Sequence, residues 1–254
     1  MEKEREDRKK PAIIAHRGAS LYAPENTLAA FHLAWQQGAE GIECDVHQTK
    51  DGSIVCIHDS DTSRVSQESL IVAETNLNDL KRIDIGSWKG ENWKGEPVPT
   101  LDEVLQSVPE GKQIYIEIKT DKSILEAFYQ ILDRALCATE QISVIAFDAE
   151  VIGQLKIDRP QLKAYWLTDF KDDETGEWGP DLNQISDTLK ALKADGLGAQ
   201  NHEAVDQTFV DTLLQNDFDL NVWTIDDLDE ARRYRDLGVT SISTNDPFSL
   251  IQDL

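Results

Sequence analysis

Short runs rich in β-branched and apolar residues recur along the chain, at 12–16, 41–47, 53–58, 113–119, 141–147, 161–167, 194–199, 221–224 and 240–244. Most are separated by stretches with a helical period. Across 27–37, Leu28, Phe31 and Trp35 fall on one face before Gly38, and across 123–136 Ile124, Phe128, Ile131 and Leu132 do the same. Strands alternating with helices imply a parallel sheet. The join between the second and third runs breaks the alternation, because Thr49-Lys50-Asp51-Gly52 leaves no room for a helix and Asp-Gly between strands signals a hairpin. Removing that folded-back run leaves eight parallel strands. The pattern therefore predicts an α/β fold, a (β/α)8 TIM barrel, ahead of a doubly wound open sheet, and 254 residues suit a barrel. The expected organisation is a charged arm over 1–10 and a single barrel domain over 11–254. An insertion over 60–100, with Trp88, Trp93 and Pro97-Val98-Pro99 but no clear strand, lies beside the mouth as a structured loop or a small cap over the site. The polar stretch 171–180 is expected to be a surface loop.

A two-residue turn at Asp51-Gly52 would fix the hairpin register. Counting outward, Lys50 faces Ser53, His47 faces Cys56 and Asp45 faces His58. Opposed side chains share a face with Cβ atoms ~5 Å apart, and strand alternation adds Glu43 to that face. The same count sends Cys44 and Cys56 to opposite faces. With Cys137 they form neither a zinc-site spacing nor a disulfide framework, and free thiols are expected.

Composition narrows the partners. Hydrophobic residues at 40% and charged residues at 29% describe an ordinary globular chain, and no apolar run approaches a membrane span. The start, MEKEREDRKK, lacks the apolar segment of a secretory signal, so the cytoplasm is the expected compartment. With 48 acidic against 25 basic side chains the formal charge is −23, which repels nucleic acid and anionic membrane surfaces. A phosphate ester would also be repelled at long range, so a phosphate site here must recruit locally, with a cation and a few placed basic groups.

Those groups are present. Glu43 and Asp45 at i and i+2 of an apolar strand repel one another unless neutralised, and Glu117 adds a third carboxylate on Tyr115-Ile116-Glu117-Ile118-Lys119. Buried ion pairs with Lys119 or Arg17 could neutralise them. So could a divalent metal, and hard oxygen donors without paired cysteines or histidines suit Mg²⁺ or Ca²⁺ better than zinc. His16 ends the first strand, where barrel enzymes keep catalytic groups. Together with His58 it could supply the proton acceptor and proton donor that phosphodiester cleavage requires. Arg17 offers phosphate oxygens a planar fork and Lys119 a point charge. Glu25 and Asn26 either start the following helix or sit just behind these contacts. His32 is expected to be structural, His47 could graze the mouth, and His202 has a weaker claim.

Taken in order, these residues resemble the glycerophosphodiester phosphodiesterase family. His16-Arg17-Gly18 with Pro24-Glu25-Asn26-Thr27 is similar to its opening signature, and Glu43-Cys44-Asp45 leading through Thr49-Lys50-Asp51-Gly52 to His58-Asp59 to its second. Glu117-Ile118-Lys119 is similar to the third, and Val222-Trp223-Thr224 with Thr244-Asn245-Asp246-Pro247 resembles the closing strands. Asn245 replaces a more usual aspartate and Ala146 a frequent serine, both apart from the core signatures. The resemblance implies a barrel with an inserted cap, metal on Glu43, Asp45 and Glu117, and acid-base work by His16 and His58. It also implies Trp223 at the glycerol or alcohol side of the pocket, and hydrolysis of glycerophosphodiesters to sn-glycerol 3-phosphate and an alcohol. The expected partner is thus a small glycerophosphodiester. A lysophospholipase D-type activity on the same bond is the nearest alternative, and a non-catalytic phosphate-binding module is an alternative of another class.

Overall fold

The computed structural model describes residues 10–172 and 178–254; nearly all of the expected arm lies outside them. The strands are β1 (Ala12–Ala15), β2 (Gly41–Gln48), β3 (Ile54–Cys56), β4 (Gln113–Ile118), β5 (Ile142–Ala146), β6 (Lys163–Thr168), β7 (Lys171–Asp172), β8 (Trp178–Gly179), β9 (Gly196–Gln200), β10 (Asp219–Trp223) and β11 (Ser241–Thr244). Parallel pairing runs β1-β2-β4-β5-β6-β9-β10-β11 and closes where β11 returns to β1, giving the expected eight-stranded barrel. Between Phe170 and Pro180, β7 and β8 pair as a small antiparallel ribbon where only a loop was expected.

Two hydrophobic layers follow from strand alternation. Outward side chains such as Ile42, Cys44, Val46, Ile116 and Val144 meet the surrounding helices, while Ile14, Tyr115, Ile145, Tyr165 and Leu167 pack inside the barrel. The first helix, Leu28–Gln36, starts because the Thr27 hydroxyl accepts from the amide of Ala30, and buries Ala30, Phe31 and Ala34. Its buried face is thus centred on Phe31 and two alanines, with Leu28 and Trp35 only partly covered. Val55 of β3 joins Ile57, Val65, Val72, Leu80, Ile83, Ile85 and Val98 from the chain that follows in a separate small core.

The hairpin register differs from the count. Val46 faces Cys56, His47 faces Val55 and Gln48 faces Ile54. The loop has three residues, Lys50 to Gly52, closed by the amide of Gly52 on the carbonyl of Thr49 and that of Thr49 on the carbonyl of Ser53. Gly52 at φ +83° takes the left-handed position that ends such a loop. One extra loop residue shifts every pairing by one. Asp45 therefore lies opposite Ile57 rather than His58, with the Ile57 amide on the Asp45 carbonyl. Cys44 and Cys56 share a face and remain free thiols.

Candidate active site

The site stands on the inward face at the C-terminal ends of the strands, where barrel enzymes keep their chemistry. Parallel pairing of β2 with β4 sets Asp45 directly beside Glu117, and Glu43 lies two residues earlier on the same face. All three carboxylates are buried, and one oxygen from each lies within 4.8 Å of the others. β1 and β3 use the same edge of β2, at successive heights: β1 pairs with Gly41 and Ile42, and β3 with Val46 to Gln48. His16 follows the end of β1 and His58 the end of β3, so both reach the mouth above the carboxylates. The convergence inferred for His58 is thus reached by a different route. Its backbone carbonyl is fixed by Nε2 of the buried His47, 3.1 Å away, which places His47 behind the site rather than in it.

Arg17 bends the chain into the site. Its φ of +56° is rare for a non-glycine residue, and its amide donates to Glu43 Oε2 at 2.8 Å. Its guanidinium donates to Glu25 Oε1 at 2.9 Å and lies 3.2 Å from Asp45 Oδ2. Asn26, also left-handed at φ +56°, grips Asp45 twice: its Nδ2 donates to Oδ2 at 2.7 Å and its Oδ1 accepts the Asp45 amide at 3.1 Å. The helix cap is Thr27, so Asn26 serves the site rather than the helix start. Lys119 donates to Glu117 Oε1 at 2.6 Å and faces Asp45 Oδ1 at 3.5 Å.

Two cations do not balance three carboxylates. Burial pushes Asp45 up, but Arg17 and Lys119 outweigh burial and hold its carboxyl below the ordinary range. Burial and the charges of Asp45 and Glu117 push Glu43 well up, and burial with Asp45 pushes Glu117 up to about 7. Glu43 Oε1 and Asp45 Oδ1 are buried without a hydrogen-bond partner. Surplus negative charge and two unbonded buried acceptors are what a divalent cation would neutralise, so the donor set fits a hard cation.

Each histidine is oriented from behind. His58 Nδ1 bonds Asp59 Oδ1 at 2.8 Å, and His16 Nδ1 bonds Asn245 Oδ1 at 2.9 Å. Asn245, from the segment after β11, is in turn held by Asp226 through its backbone amide and its Nδ2, both at 2.7 Å. Its departure from the more usual aspartate therefore lies in contact with the first histidine, not apart from the core signatures. Burial and the neighbouring Arg17 lower the basicity of His16, whose Nε2 is 3.9 Å from Glu43 Oε2.

These groups line a cavity of about 220 Å³. His16, Arg17, Glu43, His58, Glu117 and Lys119 form its polar side, Ile145, Phe147, Leu167 and Trp223 an apolar wall, and Asn221, Ser243 and Thr224 complete it. Phe147 and Trp223 meet edge-on at 5.7 Å, and the indole Nε1 is buried without a partner. His32 is exposed on its helix and His202 stacks on Phe170; neither lines the cavity. Asp59, adjacent to a singled-out histidine, could have been found from sequence. Asn221 and Ser243 gave no separate signal.

A closed barrel bearing three carboxylates, two imidazoles and two placed cations around one mouth cavity defines a hydrolase of phosphate esters. The pattern of the Glycerophosphoryl diester phosphodiesterase family matches residues 16–249, and the chain belongs to that family. It is 31% identical to the glycerophosphodiester phosphodiesterase of Caldanaerobacter subterraneus subsp. tengcongensis, over 95% of this chain and 97% of the relative. A glycerophosphodiester phosphodiesterase of Bacillus subtilis is 28% identical over 92% of this chain and 83% of its own. An Oleispira antarctica phosphodiesterase, solved in complex with the product sn-glycerol 3-phosphate, superposes with a TM-score of 0.85 at 26% identity, covering 96% of both chains. Among the described residues no helix is long and apolar enough to cross a membrane.

Proposed function

We propose that the chain hydrolyses water-soluble glycerophosphodiesters to sn-glycerol 3-phosphate and an alcohol, with Mg²⁺ or Ca²⁺ held by Glu43, Asp45 and Glu117. The observation that carries this is the pair of unbonded buried carboxylate oxygens on Glu43 and Asp45, with Glu43 and Glu117 lining one cavity together with His16 and His58. The product bound to the Oleispira relative supports the glycerol phosphate end of the assignment. When bound, the cation polarises the phosphoryl group and offsets surplus negative charge.

The chain's own groups supply the rest. Arg17, clamped by Glu25, and Lys119, clamped by Glu117, present positive charge to phosphate oxygens. One imidazole takes the proton from the glycerol hydroxyl next to the phosphate as that oxygen attacks phosphorus. The other gives a proton to the departing alcohol oxygen. A cyclic phosphate results, and water opens it with the two rings exchanging roles. Trp223, Phe147, Ile145 and Leu167 give the carbon skeleton an apolar wall to lie against.

The test is release of sn-glycerol 3-phosphate from glycerophosphocholine after chelation, with Mg²⁺, Ca²⁺ and Mn²⁺ restored separately. His16→Ala and His58→Ala each lower kcat by about a thousandfold while remaining folded. Near-normal rates in both overturn the assignment. Faster turnover of lysophosphatidylcholine than of glycerophosphocholine would replace the substrate class, and metal-dependent binding without hydrolysis would replace catalysis by recognition.

A further inference from the structure

Arg64 lines neither the cavity nor the acidic triad, yet it is the point at which two lines of contact from the site meet. Its two terminal nitrogens donate to Glu25, Nη1 to Oε2 at 2.7 Å and Nη2 to Oε1 at 2.8 Å, while its Nε donates to Asp59 Oδ2 at 2.6 Å. Glu25 holds the guanidinium of Arg17, and Asp59 holds Nδ1 of His58. Glu25 lies at residue separation 39 from Arg64, so this is a tertiary junction and not a local turn. Its backbone is anchored by the next residue: Val65 is buried in the small core beyond β3, and its amide bonds the carbonyl of the fully buried Thr62.

We propose that Arg64 is a positioning residue, one planar fork that sets Arg17 through Glu25 and His58 through Asp59 and so fixes the phosphate-holding and proton-transferring groups relative to each other. The inference rests on the phosphodiesterase reading above. Stability alone does not account for the arrangement. The Arg64 side chain is 43% exposed and that of Asp59 33%, a pair so open to solvent that it contributes little to folding, and Glu25, 13% exposed, already has Arg17 as its partner. What the fork supplies is direction, because three donors in one plane fix two carboxylates at once. A lysine at this position would carry the charge but, as a point donor, could not reproduce the bidentate grip on Glu25 while holding Asp59. No contact runs from Arg64 to Glu43, Asp45 or Glu117, so the site's grip on a cation should survive its loss.

The experiment compares Arg64→Ala and Arg64→Lys with the intact chain in three measurements. Histidine ring ¹⁵N spectra, assigned with His58→Ala, should lose the hydrogen-bonded Nδ1–H signal of His58 in Arg64→Ala while the His47 signal stays. Turnover of glycerophosphocholine should show kcat/KM lowered by roughly tenfold to a hundredfold in both variants, with KM raised as well as kcat lowered, and Mn²⁺ affinity within about twofold of the intact chain. In an Asp59→Asn background, removing Arg64 should leave kcat almost unchanged and act on KM alone. An unshifted His58 ring signal, or a loss of activity that tracks the folded fraction with KM unchanged, or full rescue by lysine, overturns the proposal. The spectra are read whether or not the intact chain hydrolyses the diester, so failure of the activity and failure of the positioning role are separately visible.

Discussion

Glu117 spends the interval around neutral pH exchanging a proton, because burial and the charge of Asp45 lift it to about 7. A cation must displace that proton, so metal affinity should fall by up to about tenfold per pH unit below 7; calorimetry with Mn²⁺ at pH 6 and pH 8 measures it. Without metal, the folded chain holds between pH 4.5 and 7 a proton that the unfolded chain has released. Stability from this group therefore falls as pH rises through that window. Lowered basicity at His16 and His47 acts in the opposite sense, so the test is a difference: the urea midpoint of the chelated protein minus that of Glu117→Gln should shrink from pH 5 to pH 7.5. Asn26 acts on Asp45 by position, with one hydrogen bond to its carboxylate and one from its backbone amide. Asn26→Ala loses both and puts a Cβ residue without a local side-chain bond at φ +56°, for a loss of about 3 kcal/mol in urea unfolding with weaker metal binding. The carboxylates and histidines were legible because such residues are conspicuous at the ends of apolar strands. Asn26 was ambiguous, since an Asn before Thr at a helix start is also ordinary capping chemistry.

At the scale of the element, the hairpin separates what a pattern can specify from what a side chain decides. Thr49-Lys50-Asp51-Gly52 announces a reversal, but Asp-Gly fits a two-residue turn and a three-residue loop equally well. The Asp51 carboxylate accepts from the hydroxyl of Thr49 and from the amide of Leu77, both compatible with the longer loop. The second contact comes from 26 residues further along and is invisible in local sequence. Gly52 has open space where a Cβ would sit, only Gln48 Nε2 lying near at 3.9 Å, so Gly52→Ala should cost about 1–2 kcal/mol through its φ alone. Thermal unfolding checks this, and metal affinity should hold, because the register is also fixed by Val55 and Ile57 in their own small core. That core was illegible for a related reason: its apolar residues follow neither a helical nor a strand period.

Across the whole molecule, a charge of −23 surrounds a site that must attract an anion. Added salt screens the repulsion. The KM for a diester with net charge −1, such as glycerophosphoglycerol, should therefore fall severalfold from low to physiological ionic strength, while that for zwitterionic glycerophosphocholine moves less; a salt series on both substrates measures the difference. The barrel itself was legible because eight β-rich runs interleaved with amphipathic stretches admit few topologies. Contacts that tie distant segments together, such as Asn245 on His16 and Arg64 on Glu25, follow only from closure and packing.

Closure also has a consequence in time. Strand β1 has β2 on one edge and β11 on the other, and the partner of His16 arrives 229 residues later in the chain. During synthesis the first histidine waits, without its orienting amide, until the 229 residues that separate it from Asn245 have been made. A chain stopped short of Asn245 thus carries every carboxylate of the site and an imidazole with nothing to aim it.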